Sequence, residues 1–158
     1  LDVLVIDMPP GTGDVQLTMA QQVPLSGAVI VSTPQDLALI DARKGLAMFQ
    51  RVNVPVLGIV ENMSYFLCPK CGERSEIFGH GGAENEAQKL GVPFLGGIPI
   101  DPEVCKGGDD GVPIVISHPE SAAALAYKKV AGAIAARLST INMEKGENLE
   151  SFSLAWKS

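Results

Sequence analysis

Two cysteines in the run Cys68-Pro69-Lys70-Cys71 carry the strongest chemical signal in the sequence. Thiolates at this spacing bite a single metal centre, yet structural zinc and most iron-sulfur clusters take four ligands and one pair supplies two. His80 and Cys105 of the same chain are one way to complete a zinc site. The same pair from a second copy across a two-fold axis is another, and it needs no further residue type. A thioredoxin-like dithiol is a third reading, but that motif normally opens a helix, and here Gly72 and charged loop residues follow. Spacing alone leaves zinc and cluster open. His80, in the run GHGG, reads as a loop histidine, and Cys105 as a partly buried small residue.

The second signal is Asp7, at the end of the aliphatic run LDVLVI and followed by MPPGTGD. A strand-end carboxylate holds magnesium through water in P-loop NTPases, and the turn after it, here containing Gly11, approaches the terminal phosphate through backbone amides. The plainer alternative is that Asp7 ends a strand and Asp14 caps a helix. A phosphate loop of the form G-x-x-x-x-G-K-[ST] is absent: no lysine follows Gly11 or Gly13, so GTGD is not the phosphate cradle.

These residues need a scaffold that brings strand ends together. Leu1 to Ile6, Gly27 to Val31, Pro55 to Val60 and Phe94 to Ile98 are short aliphatic runs that read as buried parallel strands. Helical segments lie between and after them: Asp14 to Val23, Asp36 to Val52 with Leu39, Ala42, Leu46 and Phe49 on one face, Ala83 to Leu90 stopped by Gly91, and Pro119 to Leu138. The alternation predicts an α/β fold, a parallel sheet with right-handed crossovers and helices on both faces. Ligands of such sheets sit at the carboxyl ends of the strands, where Asp7 and the residues after Val31, Val60 and Ile98 fall. Residues 1–138 are expected as one domain and 139–158 as a flexible extension, with Phe152, Leu154 and Trp156 as a docking point. The opening at Leu1, inside a strand and without methionine, reads as a truncation. An unpaired apolar strand there would leave a sheet edge prone to aggregation.

Composition narrows the function classes. The net charge of −6 argues against nucleic acid or an anionic membrane as partner. No uncharged apolar stretch reaches the roughly 20 residues of a membrane span, and no signal-peptide layout opens the chain. Three cysteines make a poor disulfide framework and suit a reducing compartment.

DMPPGTGD, taken with VSTPQD, ENMS, CPKC, IFG and the series IPID, GGDDG and PIV, resembles the Mrp family of iron-sulfur carrier ATPases over roughly Leu1 to Leu138. That family belongs to the deviant-Walker P-loop NTPases, with MinD-like and ParA-like proteins, and works as homodimers. The resemblance implies that Asp7 is the carboxylate near Mg2+ and that Gly11 lies in the turn sensing the γ-phosphate of ATP. It implies that Asn62 reads the adenine edge and that Pro99 and Asp101 close over base and ribose. Cys68 and Cys71, with their counterparts in a second subunit, would hold a bridging 4Fe-4S cluster for transfer to apo iron-sulfur proteins. ATP hydrolysis belongs to the complete protein, since the phosphate loop is absent here. Cys105-Lys106 departs from an arginine and acidic pair common in the family, so no role is carried to it. The compartment implied is bacterial cytoplasm, with the mitochondrial matrix as alternative. The competing class is a zinc-stapled partitioning or scaffold ATPase of the MinD type; a cluster-binding module without a nucleotide half is a third.

Overall fold

The computed structural model describes residues 2–8 and 13–149. Its elements in chain order are α1 (Asp14–Gln22), β1 (Ala28–Ser32), α2 (Asp36–Arg51), β2 (Val56–Glu61), β3 (Phe66–Leu67), β4 (Arg74–Ser75), α3 (Gly82–Leu90), β5 (Phe94–Gly97), α4 (Pro102–Asp110), α5 (Ile114–Ser117) and α6 (Ala122–Leu149). β1, β2 and β5 form a parallel sheet in that order, with Ile30 opposite Ile59 and Ile59 opposite Phe94. Because side chains alternate along a strand, neighbouring residues of β2 serve two separate cores. Ile59 packs with Leu39, Leu46 and Phe49 of α2 and with Ala83 and Ala87 of α3. Val60 faces the other way, joining Leu95, Ile98 and Val130 of α6. The fold is therefore α/β with helices on both faces, and β2 is apolar on both faces up to Glu61 because both are covered.

One ion pair ties the first helical layer together. Glu86 of α3 is buried, and both its carboxylate oxygens accept from Arg43 of α2, through Nε and, at 2.8 Å, through Nη2. The hydrogen bonds from Arg43 hold the Glu86 carboxyl below its ordinary 4.5; burial opposes them, and the charges of Arg43 and Lys89 add to the lowering. A depressed folded-state pKa contributes stability that is present above the unfolded value and lost as pH falls through the folded one. Glu86→Gln is therefore expected to destabilise most at neutral pH, with its urea midpoint converging on wild type in acid. A pH-independent difference between the two would contradict the pair's role.

Two expected features differ. The strand expected over Leu1 to Ile6 does not form: residues 2–8 lie in neither helix nor strand, and Val3, Leu4 and Val5 are 55%, 72% and 85% exposed. An aliphatic run becomes a strand only when its N–H and C=O groups find a ladder, and none of the described residues pairs with it. The last helix also continues to Leu149 instead of ending at Leu138. Phe152, Leu154 and Trp156 lie outside the described residues.

Candidate functional site

The carboxyl ends of the three parallel strands are stitched into one edge by backbone hydrogen bonds. Asn62 N–H donates to Ser32 O (2.7 Å), Ile98 N–H to Glu61 O (2.8 Å), Ser64 N–H back to Ile98 O (2.9 Å) and Ile100 N–H to Tyr65 O (2.7 Å). Residues 61–65 are thus gripped by β1 on one side and by the segment after β5 on the other. Between them the chain turns at Met63, whose φ of 55° is left-handed, and Met63 N–H donates to Asn62 Oδ1 at 3.0 Å. That bond fixes which end of the Asn62 amide faces its own turn.

The chain then leaves the sheet as a short antiparallel hairpin, β3 against β4, with Phe66 opposite Ser75 and Leu67 opposite Arg74. Cys68 N–H donates to Glu73 O (2.9 Å) and Gly72 N–H to Cys68 O (2.8 Å), so Cys68-Pro69-Lys70-Cys71 is the hairpin's tip. Gly72 has φ 73°, which lets the tip turn back. Cys68 is half-buried and Cys71 exposed. The backbone N–H of Cys71, then that of Lys70, then the Cys71 side chain hydrogen-bond to the Cys68 sulfur and hold its thiol below the ordinary range, against a smaller opposing effect of burial. Backbone donors aimed at sulfur favour the thiolate, the form that ligates metal. In metal-free, reduced protein, Cys68 is therefore expected to alkylate with a pH midpoint below that of the same thiol in urea-unfolded protein. A midpoint at or above it, read by peptide mass spectrometry across pH, would contradict the tip geometry.

The hairpin stem is braced on both sides. The Arg74 guanidinium lies 4.0 Å from the centre of the Tyr65 ring and 3.1 Å from Glu76, whose carboxylate also meets His80 Nδ1 at 2.7 Å. On the opposite flank, Leu67 and Pro69 form with Pro99 and Ile100 a shallow apolar cleft of about 170 Å³. Pro99 is buried in it, while Asp101 caps α4 by accepting from Glu103 N–H at 3.0 Å.

The edge therefore collects Asn62, Pro99 and Asp101, with the cysteine hairpin rising beside them. Asp7 is exposed on the unpaired segment and Gly11 lies outside the described residues. His80 is exposed and bound to Glu76, and Cys105 is exposed on α4. No group of three or more His, Cys, Asp or Glu side chains gathers among the described residues, so neither His80 nor Cys105 completes a site with the pair. Two thiols at an exposed tip suit a centre that takes its remaining ligands from elsewhere.

One buried residue of the edge goes beyond those expected from sequence. Glu61, 2% exposed at the end of β2, accepts from Ser64 Oγ (2.6 Å) and from Ala83 N–H at the start of α3 (2.7 Å). The signal was present: a carboxylate closing an otherwise aliphatic strand must find donors nearby, and a serine follows three residues later.

A family model described as ParA, NUBPL iron-transfer P-loop NTPase, matches residues 1–135. The iron-sulfur cluster transfer protein NUBPL of Dictyostelium discoideum is 53% identical over 148 residues, covering 94% of this chain and 46% of that protein. The iron-sulfur cluster carrier protein of Escherichia coli K12 is 55% identical over 138 residues, 87% of this chain and 37% of its own length. Among solved structures, a nucleotide-binding protein of Archaeoglobus fulgidus in complex with ADP is 45% identical, with a TM-score of 0.61 over 72% of this chain and 46% of that one. The chain thus spans less than half the length of these relatives. With the family model matched across both the sheet and the cysteine hairpin, the chain belongs to the NUBPL-type iron-transfer P-loop NTPases of the ParA group.

Proposed function

We propose that this chain is the cluster-holding part of a nucleotide-dependent iron-sulfur cluster carrier. The observation that carries the reading is the tip of the β3–β4 hairpin: two accessible thiols, one with backbone donors on its sulfur, and no third ligand gathered with them among the described residues. Cys68 and Cys71, with the same pair of a second copy, hold a 4Fe-4S cluster across a two-fold axis, and the homodimer follows from that ligand count. The cluster is cargo. A recipient's thiolates replace the cysteines one at a time, and exposure at a hairpin tip lets them approach.

Asn62, Pro99 and Asp101 form the base end of a nucleotide site on the same edge. Among the described residues Asn62 Nδ2 and Asp101 Oδ2 meet no hydrogen-bond partner, which leaves them for a ligand. Asp7 and Gly11 serve the phosphate end in the complete protein, where Mg2+ supplies the positive charge that ATP hydrolysis requires. The 158-residue chain contains no lysine-bearing phosphate loop, so by itself it is expected to bind ATP weakly and not to hydrolyse it. Free thiols suit a reducing compartment, bacterial cytoplasm or mitochondrial matrix. None of the helices among the described residues is long and apolar enough to cross a membrane.

The test is transfer. Complete protein loaded with cluster is mixed with an apo-ferredoxin, and the recipient's recovered absorption is followed. Cys68→Ala protein with wild-type circular dichroism is expected to transfer nothing; normal transfer by that variant would sink the reading.

A further inference from the structure

Buried carboxylates hold what they touch, and Glu61 touches the root of the cysteine hairpin and the start of α3. Its Oε1 accepts from Ser64 Oγ, at the root of the cysteine hairpin, and its Oε2 from Ala83 N–H, in the first turn of α3. Asn62 lies between Glu61 and Ser64 in the chain, so the same carboxylate closes the ends of the turn that presents Asn62. Close packing leaves this unit little slack. A Cβ on Gly97 would stand 2.7 Å from Ser64 Oγ, and one on Gly82 would stand 2.3 Å from the carbonyl oxygen of Pro34, just after β1. The hairpin root is therefore pressed on β5, and the start of α3 on the segment after β1.

We infer that Glu61 is a positioning residue that joins the Asn62 turn and the root of the cysteine hairpin into one unit, so that occupancy at Asn62 is felt at Cys68 and Cys71. This rests on the carrier reading. The physical requirement is an element whose arrangement both sites bias. The Glu61–Ser64 bond is the proposed link, because displacement of the Asn62 turn must either drag Ser64 with it or break a bond in a buried place, where an unmade bond is costly. Tyr65 and Ile100 carry the displacement on, since Ile100 N–H is bonded to Tyr65 O immediately before β3.

The test uses the complete protein, with and without reconstituted cluster, and anaerobic calorimetry with a non-hydrolysable ATP analogue. In wild type, cluster occupancy is expected to change the analogue's Kd by a factor of about five or more, the usual lower range of coupling between sites. Glu61→Met, which fills the space but accepts no hydrogen bond, is expected to bring that factor within about twofold of one. Glu61→Gln is expected to keep it: its amide oxygen, in the place of Glu61 Oε2, accepts from Ala83 N–H, and its NH2 donates to Ser64 Oγ once that hydroxyl turns. Glu86→Met, which breaks the other buried carboxylate contact of α3, is expected to lower thermal stability and leave the factor at the wild-type value. Should Glu61→Met fail to fold, Ser64→Ala removes one of the two bonds and is expected to reduce the factor. Retention of the wild-type factor by Glu61→Met, or by Ser64→Ala in its place, overturns the inference. So does a wild type that holds both cluster and nucleotide with a factor of one, which leaves the carrier reading intact. A wild type that holds no cluster overturns both.

Discussion

Cys68→Ala and Cys71→Ala, made singly in the complete protein, are each expected to lose as much iron and sulfide as the double variant. The reason is symmetry. When two identical pairs close one centre across a two-fold axis, a single substitution in the gene deletes two of four ligands. Loss of an outer-shell partner alone typically costs 10–100-fold in metal affinity, so loss of two thiolates is expected to exceed about a hundredfold. A centre completed within one chain behaves differently, since each single variant keeps three ligands and retains metal in part. Iron and sulfide assays on the two single variants and the double separate these cases. Graded loss, with each single variant holding substantially more metal than the double, would count against the shared site. His80→Ala and Cys105→Ala are expected to leave the content unchanged, since neither side chain gathers with the pair.

The largest effect on stability is expected from Gly58→Ala. Gly58 lies in the central strand β2 with φ 155°, and a Cβ there would stand 2.5 Å from the Pro93 carbonyl oxygen and 2.7 Å from Leu95 Cγ. The oxygen belongs to the β5 side of the ladder and accepts from Ile59 N–H at 2.9 Å, so it cannot retreat without loosening the sheet. Overpacking and backbone strain each cost about 1–3 kcal/mol, which together puts Gly58→Ala at roughly 2–6 kcal/mol, a large part of the 5–15 kcal/mol that holds a typical domain folded. Urea unfolding followed by circular dichroism measures it. A loss below about 1 kcal/mol would mean that β2 and β5 do not approach as closely as described.

Much of the scaffold was legible because its elements are long or doubly covered. Leu39, Ala42, Leu46 and Phe49, expected on one face of a helix, are all buried in α2, and the aliphatic runs of β1, β2 and β5 lie where parallel strands were expected. The run Leu1 to Ile6 has the same texture, yet its described residues form no strand, since composition reports a preference for burial while a ladder also needs a neighbour. The hairpin was illegible for another reason. Phe66–Leu67 and Arg74–Ser75 are two residues each, too short to show alternation, and the pairing is held by the turn and by tertiary contacts. α4 was missed because Gly107, Gly108, Asp109 and Asp110 are poor helix formers; Asp101 as cap and Pro102 in the first turn start it nonetheless.

The candidate site was legible as residue types and less so as geometry. The cysteine spacing indicated a pair that bites one centre, and the fold places it at an exposed tip with donors on one sulfur. The resemblance placed Asn62, Pro99 and Asp101 at strand ends, and those ends share one edge. It gave no hint that Asp101 is already spent in part on capping α4, or that Glu61 fastens the turn beside Asn62. Hydrogen bonds of that kind depend on which elements meet, which spacing along the chain does not encode.

The central claim is that the paired cysteines hold an iron-sulfur cluster between two copies of the chain. Metal and acid-labile sulfide analysis, with a visible spectrum and the mass in solution, on anaerobically reconstituted protein tests it most directly. About four iron and four sulfide per dimer are expected, with broad visible absorption that disappears in the Cys68→Ala/Cys71→Ala protein. Stoichiometric zinc without sulfide would contradict it and make the hairpin tip a structural staple.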